Sequence, residues 1–460
     1  MSPRRARGQG RSRLLRVGLF VAAGLVVALI AAVLIGKSWM ESYLRGGEFR
    51  AFVSDKAGDT LRAETQIAPL NISGQSFYTD GFTARGTSDA WFSELQLDQI
   101  RAELSTRRFW ERVWQVEQVS VQRARITIDG ERVPERVKSG SASAPKAPSL
   151  FATWIPNRVE VGSATIRETE IQWKGGAASG THLQIKQQDE GWNIQGEGGR
   201  VVHGALPPLE VGTLKLRYRE PALFVQDAEL RQVTGGGTVR VNGEVQFGDK
   251  VDLTAKLDGV TMTPYLAGDW RARVHGKVSG EVRVQSSLPA QGSPILSGTL
   301  AVSEGQLEAL PVLEEIATFT RTAQFRRLQI TRAGGDFRQE AERLSVQNFA
   351  AESEGLIRVE GSFTIVNGQI DGSFQVGVTP ASLQWLPGSQ ARVFTVSRGG
   401  YLWTPLRLTG PVEKPQEDLS PRLVAAAKGA IIEGAEGAVR DAAQTARDAV
   451  KGAIDSLFGR

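Results

Sequence analysis

Side chains suited to catalysis are few in this chain. Three histidines, His182, His203 and His275, occur among 460 residues that include no cysteine. Imidazole serves as a general base or metal ligand when a carboxylate or a second ligand stands at a fixed spacing, such as i and i+4 on a helix. His182 sits in THLQIKQ, His203 beside a Pro-Pro loop and His275 in an alternating segment, none with such a companion. The lack of cysteine excludes thiol catalysis, structural disulfides and Cys-ligated zinc. No G-x-S-x-G elbow marks a nucleophilic serine, and the glycine-rich runs 196–199 and 235–237 do not open helices, so neither cradles a phosphate. The enzymatic alternative is a polysaccharide-cleaving β-helix, which needs acids clustered on the inward faces of neighbouring rungs. The inward faces at 239–247 and 357–365 carry aliphatic residues instead. The expectation is a protein that is not an enzyme, with no catalytic residue, no metal and no cofactor.

The charge balance belongs to one end of the chain. The formal net charge is +5, but Arg4, Arg5, Arg7, Arg11, Arg13 and Arg16 precede the first long apolar run, and without those six it becomes −1. No basic footprint for nucleic acid remains. The run itself, VGLFVAAGLVVALIAAVLIG at 17–36, is free of charge. At about 1.5 Å per residue, a helix of that length covers the roughly 30 Å core of a bilayer. A basic leader before the run and only Lys37 and Arg45 close behind it predict a cytoplasmic N-terminus, with the bulk of the chain on the far side of an inner membrane. A cleaved signal peptide is the competing reading. It fits less well, because the run is long and exits through Leu-Ile-Gly-Lys-Ser-Trp rather than an A-x-A site.

Beyond about residue 61 the pattern has period two. In GTVRVNGEVQF, Val239, Val241, Val245 and Phe247 share one face; in VDLTAKLDG, Leu253 and Leu257 do the same. The alternation returns at 278–284, 300–302, 357–365 and 374–378, where Ile357, Val359, Phe363, Ile365, Phe374 and Val376 form the apolar set. Asp, Asn and Gly separate many runs, as hairpin turns require. Residues 237–266 and 355–386 echo one another, each with paired strand-like runs that end in a Thr-Pro motif. The fold class is therefore mainly β: an elongated, curled antiparallel sheet with an N-terminal transmembrane helix, few short helices and a C-terminal amphipathic helix. Helical patterning inside the sheet region is confined to 107–114, 308–322 and a turn near 381–386, too little to cover it. An apolar face must be covered, so the sheet either closes on a dry core or curls into an open apolar trough, and the residues leave both open.

Three segments carry a family resemblance. FSELQLDQIRAELSTRRFWERVWQVEQVSVQRARITID (92–129) resembles the N-terminal region of the AsmA family, and GTLAVSEGQLEALPVLEEIATF (298–319) with FRRLQITRAGGDFRQEAERLSVQNFAAESEGLIRVEGSF (325–363) is similar to its C-terminal region. YLWTPLRLTGPVEKP (401–415) resembles the family's closing strand and Pro-containing exit. The resemblance implies an inner-membrane-anchored periplasmic β-groove, related to TamB-type bridge-like lipid-transfer proteins. Its implied role is assisting phospholipid transport and outer-membrane homeostasis. Implied partners are the membrane, lipids and an outer-membrane or envelope protein, with no nucleic acid. The twelve apolar residues named above are then the lipid-lining candidates. The alternative is a membrane-anchored scaffold or assembly factor with a closed core.

The expected organisation is a leader and anchor at 1–36, an AsmA-like β region at 37–129 and a loop or linker at 130–150. A hairpin array at 151–297, an AsmA-like β region at 298–415 and the C-terminal helix at 416–460 complete it. Ser420-Pro421 reads as the start of that helix. Its stripe (Ile432, Val439, Ala443, Ala446, Val450, Ile454, Leu457) is rich in alanine, which suits docking over the groove or against another helix rather than membrane insertion.

Overall fold

A computed structural model describes residues 54–133, 158–308, 327–426 and 451, apart from short breaks within these stretches. The expected anchor at 17–36, residues 106–110, most of the loop at 130–150, the helix expected beyond Glu308 and most of the C-terminal helix lie outside the described residues. Among those described, no helix is long and apolar enough to cross a membrane. The chain forms two compact units, Met1–Val233 with Arg240–Val251, and Thr234–Val239 with Asp252–Arg460.

The first unit is built from β1 (Ala63–Ile67), β2 (Leu70–Ser73), β3 (Ser76–Gly86), β4 (Glu94–Ser105), β5 (Val113–Thr127) and β6 (Arg158–Trp173). It continues with β7 (Gly176–Gln188), β8 (Gly191–Glu197), β9 (Arg200–His203), β10 (Leu209–Arg219) and β11 (Ala222–Gln232). Both β1 and β2 pair with β3, which pairs on to β4 and then β5. From β6 the ladder runs through β7, then through β8 and β9 to β10 and β11.

One pairing departs from the antiparallel expectation. β5 and β6 run parallel, with Val113 opposite Arg158 and Thr127 opposite Gln172. Parallel neighbours need a connection long enough to carry the chain back to the starting end of the sheet. The stretch 128–157, which contains the segment 130–150 read from sequence as a loop or linker, supplies that length. The apolar face of these early strands is closed. Phe77 is 2 % exposed and Val116 0 %, in one cluster with Leu61, Phe92 and Val119. Burial of each such side chain contributes about 1.5–3 kcal/mol, which makes this cluster the stability centre of the unit.

β12 (Thr238–Gln246) and β13 (Lys250–Thr261) run across the division between the units. The second unit continues with β14 (Val274–Ser287), β15 (Ile295–Glu308), β16 (Arg327–Ile330), β17 (Arg332–Glu340) and β18 (Arg343–Ser353). β19 (Ile357–Val366), β20 (Gln369–Val378), β21 (Val396–Arg398), β22 (Tyr401–Pro411) and β23 (Gln416–Glu417) complete it. β14, β15, β17, β18, β19, β20 and β22 pair successively and antiparallel. The internal echo is an echo of structure. β12 and β13 lead to a 3-10 turn at Thr263–Tyr265 and a helix at Trp270–Arg273, while β19 and β20 lead to a 3-10 turn at Pro380–Leu383 and a helix at Ser389–Arg392. Each turn carries its proline in the first positions, where the missing N–H costs nothing.

Glycines bend this sheet. A Cβ on Gly298 would stand 1.9 Å from the Glu281 carbonyl oxygen, and one on Gly280 (φ +151°) would stand 2.1 Å from that of Thr299. β14 and β15 therefore approach more closely than any side-chain-bearing residue allows, which is how a sheet curls towards one face. Farther along, register shifts interrupt β17 after Gly334 and β18 after Val346, with Asn348 at φ +51°. The Asp336 carboxylate holds this bulge, accepting from Thr299 Oγ1 (2.5 Å) and Asn348 Nδ2 (2.7 Å). These two hydrogen bonds favour the charged form and hold its pKa below the ordinary aspartate value.

Two outcomes are expected. Gly298→Ala lowers the free energy of urea unfolding by about 1–3 kcal/mol, because backbone must move, whereas Ser362→Ala on the exposed face changes it by no more than about 0.5 kcal/mol. The stabilisation from Asp336 is fully present above the unfolded-state pKa, about 3.9, and is lost as pH falls through the lower folded value. Asp336→Asn should melt below the wild type at neutral pH, and the gap should narrow below about pH 4. A constant gap across that range in a pH series of thermal melts would exclude the clamp.

Candidate functional site

In the second unit, cross-strand register assembles one apolar face from seven strands. Val282 on β14 stands opposite Gly298 on β15, which stands opposite Phe337 on β17. Phe337 faces Val346 on β18, which faces Phe363 on β19. The next rungs join Val284, Leu296, Gln339, Leu344, Ile365 and Ile370. The alternate residues, such as Arg283, Thr299, Arg338, Ser362 and Arg407, are exposed on the opposite face. Period-two alternation alone builds this two-sided surface.

The apolar face is neither closed nor bare. Val282, Leu296, Leu300, Phe337, Val346, Phe363 and Ile365 are all half-buried, in contrast to the closed core of β3–β5. Seven strands at about 4.8 Å spacing make this trough roughly 29 Å long. Phe349, Phe363 and Phe374 meet on its floor, with ring centroids 6.0–6.2 Å apart. Gly361 lies opposite Phe374 and Gly372 opposite Phe363, and the Phe374 ring lies over both glycines, where a Cβ would clash with it.

The sequence candidates divide between the two units. Ile357, Val359, Phe363, Ile365, Phe374 and Val376 share the trough face of the β19–β20 hairpin, with Val359 directly opposite Val376. Val239, Leu253 and Leu257 are half-buried in the second unit; Val241, Val245 and Phe247 are half-buried in the first, where Phe247 packs against the Tyr218 ring. Leu296, Phe337, Val346 and Phe349 also belong to the trough but were not singled out from sequence. The bulge at Gln347–Asn348 puts Val346 and Phe349 on one face three residues apart, so a strict period-two scan of β18 breaks off.

One flank of the trough is covered. Leu383, Val393 and Phe394 from the turn and helix after β20, and Leu419, Leu423 and Ala426 from the chain after β23, cluster with Ile357, Val359, Val376, Val378, Leu402 and Leu406. The segment expected to be helical from 416 opens instead with the short strand Gln416–Glu417 and is helical at 419, 421–423 and 425–426; Ser420 lies outside the described residues.

The outer face is ionic and self-satisfied. Asp252 pairs with Arg283 at 2.6 Å, raising the guanidinium pKa, and Arg327 with Gln306 holds Glu308 below the ordinary range. Burial raises the Tyr401 hydroxyl, which donates to Glu352 at 3.2 Å. A polar depression of about 590 Å³ opens at the Asn348 bulge. Its one charged residue, Glu360, is committed to Arg358 (2.7 Å) and Arg398 (2.6 Å). The histidines serve structure: His203 Nδ1 accepts from Trp173 Nε1 at 3.2 Å, and His275 lies 3.5 Å from Glu308. Among the described residues, no group of three His, Asp or Glu side chains could hold a metal ion.

The comparisons with known proteins speak to the same region. No curated protein and no solved structure matches the chain. The family model described as the TamB C-terminal domain matches residues 227–386. That match overlaps the AsmA-like segments at 298–319 and 325–363 and does not reach those at 92–129 or 401–415. It covers the strands from β11 to β20, most of the half-covered apolar face among them. Residues 227–386 are thus similar to the TamB C-terminal domain, a match consistent with a TamB/AsmA-type bridge-like lipid-transfer family.

Proposed function

We propose that the protein is a lipid conduit, holding phospholipid acyl chains along the apolar trough of β14–β22 and assisting their movement between envelope membranes without any chemical reaction. The observation that carries the proposal is the half-buried ladder of aliphatic and aromatic side chains described above. A soluble surface rarely leaves so continuous an apolar face uncovered unless it binds something apolar. The trough's length, roughly 29 Å, is close to the thickness of a whole bilayer core and therefore exceeds one leaflet's acyl chain. Sheltering a chain of sixteen carbons offsets roughly 12 kcal/mol of exposure to water, at about 0.8 kcal/mol per CH₂. That removes most of the barrier to transfer, and the protein needs no nucleophile, metal or cofactor to do it. The similarity of residues 227–386 to the TamB C-terminal domain supports an envelope role.

The scaffold reading finds its support in the first unit. The core around Phe77, Phe92, Val116 and Val119 is closed, so β3–β5 offer no lipid-sized opening and serve as the structural part of the chain. The proposed location is the inner membrane, with residues 17–36 as the anchor and the sheets in the periplasm.

A paired substitution tests the conduit. Val346→Glu places a carboxylate on a half-buried wall that water reaches, so the chain should fold while phospholipid recovered by extraction and mass spectrometry falls several-fold. Val116→Glu buries an unpaired charge in a closed core and should destabilise by several kcal/mol, enough to lose the folded first unit. Equal loss of folding from both, with no phospholipid in the wild type, would favour the scaffold. For the location, a reporter active only in the periplasm and fused after Arg460 should be active, and a cytoplasm-only reporter silent. The reverse pattern would refute it.

A further inference from the structure

We propose that residues 419–426 form a reversible strap that competes with lipid for the last three strands of the trough. The inference rests on the conduit reading and adds its regulation. Leu419, Leu423 and Ala426 recur at i, i+4 and i+7, one face of a helix, and they lie against Ile357, Val359, Val376, Leu402 and Leu406. Those floor residues continue the ladder of the trough: Ile357, Val359, Leu402 and Leu406 are half-buried and Val376 is buried. The strap thus occupies the kind of surface an acyl chain would occupy, and it presents the same chemistry, aliphatic carbon.

Its fastening is polar and narrow. Thr404 lies on the trough face opposite Val376 and is fully buried, yet its hydroxyl needs a partner. Arg422 Nη1 donates to Thr404 Oγ1 at 3.1 Å, and Arg422 Nη2 donates to the Pro405 carbonyl. Asp418 accepts the Arg407 backbone N–H at 2.8 Å, and Arg422 Nε donates to the Asp418 carbonyl at 3.1 Å. One guanidinium fork therefore joins the strap to the middle of the edge strand, where β21 and β23 leave β22 unpaired. The rest of the cover is closed on itself: Val393 and Phe394 N–H both donate to the Ser389 carbonyl, and Gln390 Nε2 donates to the Pro380 carbonyl at 2.9 Å, so Leu383, Val393 and Phe394 form a wall held by its own turn and helix. The strap is fastened to β22 through the Arg422 fork, and a segment held by so narrow a polar anchor belongs to the parts of a fold that open locally. Opening exposes Leu402 and Leu406 further and lengthens the trough at its last strands.

The absence of cysteine makes the test clean. In the full chain, Leu406→Cys introduces a single thiol beneath the strap, and Leu344→Cys introduces one in the open part of the trough. Maleimide labelling of the Leu406→Cys chain should rise at least about tenfold when Arg422→Ala is added, because losing even one of the two charge-assisted hydrogen bonds to β22 shifts a local opening equilibrium by that much. Labelling at position 344 should not change. Because Arg422→Ala strands the Thr404 hydroxyl, Leu423→Ala, which only thins the apolar contact, is the second variant and should shift labelling in the same direction. The binding arm uses vesicles of phosphatidylethanolamine and phosphatidylglycerol doped with a fluorescent phosphatidylethanolamine. Both strap variants, without the added thiol, should take up more fluorescent lipid than the wild type, and lipid-loaded wild type carrying Leu406→Cys should label faster than lipid-free. Unchanged labelling in both variants overturns the strap as a mobile element. Faster labelling with unchanged lipid uptake overturns the competition while leaving the conduit intact. No fluorescent lipid on any form, wild type included, overturns the conduit reading and the competition with it.

Discussion

Seven strands of the second unit, β14, β15, β17–β20 and β22, turn one side of their pleat to the same apolar face, and the free energy of that face governs the rest of the unit. Hydrogen bonds between strands satisfy the backbone and place the side chains, but they do nothing to cover Phe337, Val346 or Leu300. Covering them needs a second layer, and among the described residues one flank has one, supplied by Leu383, Val393, Phe394, Leu419, Leu423 and Ala426. Among the described residues the remainder is half-buried. Curling a sheet towards its apolar side brings neighbouring side chains together and lowers their exposure without enclosing them.

Curvature in turn depends on where side chains are missing. Gly280 and Gly298 let β14 and β15 approach to distances that a Cβ would forbid, and Gly361 and Gly372 both make room for the Phe374 ring. The bulge at Gln347–Asn348 of β18, facing Gly335 of β17, adds twist farther along, and the Asp336 carboxylate fastens it from the opposite face. The two faces therefore do different work. The outer one carries ion pairs and hydrogen bonds that set the bend, and the inner one carries the apolar wall the bend creates. In the first unit the same alternation ends in a closed core because Leu61 and Phe92 fill the space above β3–β5.

On the proposed conduit reading the requirements are continuity and width rather than a constellation of reactive groups, because a conduit acts by solvation. Several acids and bases of β13–β21 are engaged with one another: Asp252 with Arg283, Glu308 with Arg327, and Glu360 with Arg358 and Arg398.

Local pattern was enough to identify the strands, their two faces and the echo between 237–266 and 355–386, because side-chain period and turn residues are properties of a few neighbouring positions. Six candidates on the β19–β20 hairpin fell on one face for the same reason: a tight Asn-Gly turn joins the two strands, so their register follows from the chain itself. Pairings between distant segments were not legible. The parallel alignment of β5 with β6 depends on where a 30-residue connection returns the chain, and no residue in either strand encodes that direction. The bulge in β18 hid Val346 and Phe349 by moving the apolar phase mid-strand. Only the tertiary structure decided which stretches of apolar face are closed and which stay half open, because cover comes from residues remote in sequence: Leu61 and Phe92 over one sheet, Phe394 and Leu423 over one flank of the other. Alternation states that a face is apolar, whereas burial is a property of whatever the rest of the chain brings to lie against it.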